Sequence, residues 1–229
     1  MDGRSNRANS LHKDFREAFT DPLLEMMAAI VAWGHMHAPK SAFENYGEVG
    51  IARSGLLRWI EIDSNLYKLN GKFPGIQSVF VKSGATGMKH VEVLSRDFGV
   101  LVAHDPDDEV LLPKTDYAKD LTLSNQKCLF PDGIADAVDE KKRYYALLFH
   151  AKSEIAGEIP ASLEIRFPDG CGGYAAEHLR LYNQFPHLKN PTWLIQKSQE
   201  FSSSNRPEEE KIKEQALPTF RQQPGTGVA

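Results

Sequence analysis

Asp132 followed by Glu140-Lys141-Lys142 is the arrangement with the most chemistry in it. Two carboxylates can hold a divalent ion such as Mg2+ or Mn2+. That ion lowers the pKa of bound water and offsets charge on a phosphodiester. A lysine beside them orients the water. The spacing is short for a metal-dependent nuclease but compatible with one, which would use Asp132, Glu140 and Lys142 as catalytic residues and nucleic acid as substrate. The acid-x-Lys stands just before an apolar run, Tyr144 to Phe149, which supplies a rigid support. The same Glu140-Lys141-Lys142-Arg143 also reads as a solvated strand entry, and patterns this short recur by chance.

Other candidates are weaker. His35-Met36-His37 offers two imidazoles, but residues two apart on a helix do not share a face. They meet at one metal only if the helix has ended; a histidine in a last helical turn is otherwise explained by the helix dipole. Cys171 lies in a glycine-rich turn with Asp169 before it and His178 after it. A thiol nucleophile needs a base within reach, and nothing in the spacing makes the three converge. Arg7 with His12, and Arg143 with His150, match an arginine-histidine ribonuclease spacing in the wrong context, a tail and a strand. Asp105-Pro106-Asp107-Asp108-Glu109 lacks the alternating ligands and glycine of a calcium loop. There is no phosphate loop, dinucleotide fingerprint or nucleophile elbow, and no Cys-x-x-Cys zinc site.

The elements that must position these residues alternate in period. Leu11, Phe15, Ala18 and Phe19 predict a helix over Leu11 to Thr20. Asp21-Pro22 predicts an N-cap and a second helix running to His37, stopped by Pro39. Val49 to Ile62, with Leu56, Leu57, Trp59, Ile60 and Ile62, is rich in strand formers. Ser78 to Lys82, Val91 to Leu94 and Val100 to Ala103 predict an antiparallel meander, since the links between them are too short for crossover helices. Leu111 to Asp139, punctuated by Pro113, Pro131 and Gly133, predicts loops with room for one short helix. Tyr144 to Phe149 predicts a central strand buried on both faces, and Leu163, Ile165 and Phe167 a half-buried one. Tyr174 to Tyr182 fits either a strand or a short helix. Asn190-Pro191 opens a helix to Phe201.

The fold class that follows is α+β: an N-terminal helix pair packed on a mainly antiparallel sheet, then a C-terminal helix. Residues 1–10 read as a flexible N-terminus, 11–201 as one domain and 202–229 as a disordered polar tail, too poor in apolar residues to order itself.

The chain has 229 residues, 41% hydrophobic and 25% charged, enough for a sizeable core without staples. Two cysteines are too few for a disulfide framework. The polar first ten residues hold no signal-peptide core, and the longest early apolar run is too short to span a bilayer. A cytoplasmic protein with no membrane association is the expectation. A net charge of −4 excludes a globally basic nucleic-acid binder. Charge is uneven: ten acidic residues against three basic between His104 and Glu140, seven basic against four acidic between Ile51 and Val100. Such polarity can steer a partner. With no strong catalytic constellation, the leading reading is a regulatory, inhibitory or accessory protein of a bacterial, phage or mobile-element system. It acts by binding another macromolecule, through a protein partner or self-association, and needs no cofactor. The nuclease is the alternative.

Overall fold

Helix α1 spans Gly3–Ala18 and buries Leu11, Phe15 and Ala18. Phe15 stacks on Phe19 at 4.9 Å and meets Phe98 and Phe167 edge-on, so this helix is keyed into the core by one aromatic cluster. The computed structural model describes residues 3–83, 88–105, 143–151, 153, 155, 157–169, 173–174 and 177–202. The expected loops of 111–139 and the expected tail beyond Ser202 lie outside them.

Helix α2 spans Asp21–Ala52, with Thr20 rather than Asp21 at its N-cap and Pro22 in its first turn. Asp21 instead pairs with Arg16 at 2.6 Å and accepts a hydrogen bond from Gln184 at 2.8 Å. Residues 27–32 are all buried, as befits a helix enclosed by its neighbours. The expected stop at Pro39 is overturned. Proline removes one backbone hydrogen bond, but Pro39 is itself buried in the continuing helix, and burial outweighs that loss. The helical path breaks at Gly47, at φ 62° and ψ −149°, a conformation open essentially to glycine alone.

The expected strand over 49–62 is overturned as well: Ser54–Tyr67 forms helix α3. Strand propensity is weak against tertiary packing. The buried positions Ser54, Ile62, Asp63 and Leu66, continued by Leu69, recur at helical spacing. α2 and α3 form an antiparallel hairpin, with His37 opposite Glu61 and Gly34 against Ile62. There are thus three N-terminal helices where two were expected.

Among the described residues the sheet has six strands in sequential order: β1 Ile76–Ser83, β2 Met88–Ser95, β3 Phe98–Asp105, β4 Tyr144–Ala151, β5 Leu163–Arg166 and β6 Leu179–Arg180. The expected meander β1–β2–β3 is antiparallel. β3 and β4 pair in parallel, and β4–β5–β6 are again antiparallel. β4 is central, with Tyr144, Ala146 and Leu148 in the main core and Leu147 and Phe149 on the opposite face. Arg166 lies over the Phe149 ring at 4.5 Å on that second face.

Asn70 fastens β1 to the end of α3. It donates to the Ser78 carbonyl at 2.9 Å and accepts from the Ser78 N–H at 2.7 Å. After β6 come α4 (Leu181–Gln184), a single 3-10 turn and α5 (Pro191–Ser202). Asn190 caps α5 as expected, accepting from the Thr192 N–H at 2.9 Å.

Candidate functional site

Asp132, Glu140 and Lys142 lie outside the described residues, as do Cys171 and most of the acidic turn. Their neighbours can be placed. Asp169 accepts from the Gly173 N–H at 3.0 Å and closes its own turn. His178 engages Glu164 at 3.1 Å, on the carboxylate oxygen that also accepts from Arg166 Nε at 3.2 Å. Asp169 and His178 are therefore held by different partners. Arg143 and His150 are separated by seven residues of extended chain, about 23 Å, so this pair is not assembled. His12 rests against Phe167 at 5.0 Å between ring centres.

The histidines of α2 do diverge, and the reason is helical. His35 points inward, 2% exposed, with Nε2 2.8 Å from Nδ1 of the fully buried His150 on β4. His37 points outward, stacking on Trp33 at 4.8 Å and meeting Glu61 at 3.0 Å. Because α2 continues, neither histidine owes its place to a helix C-terminus. Burial pushes the Glu61 carboxyl above the usual range, and His37 opposes that shift.

His35 and His150 belong to a seam of polar and aromatic side chains between hairpin and sheet. Trp59 of α3 touches His150 and His90, with ring centres at 5.6 and 5.3 Å. Asp63 Oδ2 lies 3.3 Å from His90 Nδ1, and its Oδ1 accepts from the Val91 N–H at 3.0 Å. The run Asp63–His90–Trp59–His150–His35 ties α3 to β2 and β4 to α2. One histidine of the 2.8 Å pair must offer a lone pair where the other offers an N–H, so the contact also fixes ring orientation. Among the described residues no group of three or more His, Cys, Asp or Glu is disposed to hold a metal ion. The seam is a positioning device: it sets the hairpin on the sheet.

What the seam positions is the far end of the hairpin. There Phe43 is 54% exposed, Tyr46 65%, Val49 67%, Ile51 41% and Leu56 48%. They are five of the seven exposed large hydrophobic residues among those described, and they fall within 14 consecutive positions. Three of the five, Tyr46, Val49 and Leu56, line a groove of about 240 Å³ together with Gly50, Arg53 and Leu57. Gly47 turns the chain back, and Gly50 lets it close: a Cβ at Gly50 would collide with the Ala42 carbonyl oxygen and the Tyr46 Cβ. The end of the hairpin is thus a built surface rather than a frayed terminus.

No family model, curated protein or solved structure matches this chain. Function must therefore be argued from these residues. Sequence reasoning missed both features. His35 and His150 are 115 positions apart, with no local signal joining them. The apolar end was hidden by the strand reading of 49–62. A helical reading would have left Leu56 off the buried face defined by Ile62, Leu66 and Leu69. Among the described residues no helix is long and apolar enough to cross a membrane, so this apolar surface is not part of a helical span.

Proposed function

We propose that this protein acts by binding another macromolecule through the exposed end of the α2–α3 hairpin, as a regulatory or accessory component. The observation that carries the reading is the concentration of Phe43, Tyr46, Val49, Ile51 and Leu56 at one end of one element. Single exposed apolar residues are ordinary, whereas a contiguous patch of several hundred Å² on a soluble domain marks an interaction site. Aromatic anchors beside a groove are also what an interface core uses. The glycine-built turn presents them with little conformational freedom left to lose on association, which favours affinity.

Affinity capture with the tagged full-length chain tests this, comparing Phe43→Glu and Leu56→Glu with Ile195→Glu, an exposed control on α5. A stoichiometric partner, which includes an untagged copy of the same chain, should be retained by the wild type and the control. Both hairpin variants should lose it. Equal retention by all four proteins would refute the assignment.

A further inference from the structure

The docking role proposed above leaves open what docks, and the surface itself narrows the answer. An isologous two-fold contact requires one patch to supply both halves of every interaction. The hairpin end does so. It carries an apolar groove and, outside the groove lining, a half-exposed aromatic ring, Phe43. It carries both signs of charge at its rim. Lys40 and Glu44 form an exposed pair at 3.9 Å along α2. Arg53 lines the groove and Glu48 directly precedes its lining residue Val49; both are exposed, and no ion pair engages either among the described residues. Two positive and two negative side chains leave the patch neutral, so two copies brought together do not repel.

The area also fits. Exposures of 41–67% over five large side chains amount to roughly 500 Å² of surface per copy. Two copies with their rims reach about 1,000 Å² or slightly more, at the lower edge of specific interfaces. We infer that the occupant of the hairpin end is a second copy of this chain, paired across a two-fold axis. Phe43 of each enters the groove of the other, and Glu48 of each meets Arg53 of the other. This inference rests on the docking role, and an interface of this size makes a dimer that forms and dissociates with concentration.

Sedimentation velocity of the full-length chain from about 1 to about 500 µM tests it. The expected result is a rise from the mass of one chain to that of two. Phe43→Glu and Arg53→Glu, checked for unchanged far-ultraviolet circular dichroism, should each raise the midpoint at least about tenfold. The double exchange Glu48→Arg with Arg53→Glu should restore the wild-type midpoint. A chain that stays monomeric throughout overturns the inference, as does a dimer whose midpoint neither substitution moves. The two readings fail separately. A monomer that still captures a different protein, lost in Phe43→Glu, refutes the second copy and leaves the docking role standing. A monomer that captures nothing removes both.

Discussion

Replacing Asp63 with alanine probes how the hairpin is set on the sheet. Asp63 is 5% exposed, and its Oδ1 accepts the Val91 N–H at 3.0 Å. Alanine leaves that buried N–H without an acceptor, a loss of about 1–3 kcal/mol. The 3.3 Å contact with His90 adds little, because the imidazole is about a quarter exposed and solvent-screened. A net loss of about 2 kcal/mol lowers the Tm of a chain this size by roughly 4–8 °C. Asparagine keeps an oxygen at the Oδ1 position, so Asp63→Asn should lose less than half as much. Urea titrations followed by circular dichroism, with equal m-values, give both numbers. An Asp63→Ala variant within about 0.5 kcal/mol of wild type, or an Asp63→Asn variant as damaged as alanine, would refute the reasoning.

Three further substitutions follow from the packing. Phe15→Ala removes a fully buried ring touching Phe19, Phe98 and Phe167. It should cost about 3–5 kcal/mol in the same urea assay. Gly50→Ala forces the turn away from Ala42 and Tyr46, so hydrogen exchange at residues 43–56 should accelerate while the sheet stays protected. Glu92 is buried, which pushes its carboxyl above the usual range against the opposing Tyr145 hydrogen bond and Arg143 charge. The native state therefore holds its proton to higher pH than the unfolded chain does. Stability falls as pH rises from the unfolded Glu value of about 4.3 to the raised native value. Glu92→Gln should match wild type below that window and exceed it at pH 7, measured by urea titration at both ends. An equal difference at the two pH values would remove Glu92 as the source.

The strands were legible because their pattern is local. Tyr144 to Phe149 is continuously apolar, and it forms an interior strand, paired with β3 on one side and β5 on the other. Asn190-Pro191 announced α5 through cap chemistry that needs no tertiary contact. The helical hairpin was not legible, because two local rules were overridden by packing. Pro39 stays helical because it is buried within α2. Trp59, Ile60 and Ile62 favour strands, yet they stand in a helix whose inner positions close on α2 and β2. The parallel pairing of β3 with β4 joins strands far apart in the chain, and no pattern within either strand specifies its direction relative to the other. The histidine seam joins residues from α2, α3, β2 and β4, and no spacing along the chain encodes such a meeting.

The most direct measurement is photocrosslinking of the full-length chain in its own cells, with benzoylphenylalanine in place of Tyr46 and, as a control, of the exposed Gln196 on α5. The expected result is one discrete adduct from position 46 and none from 196. Adducts from 196 alone, or none from either position, would contradict a binding role for the end of the hairpin.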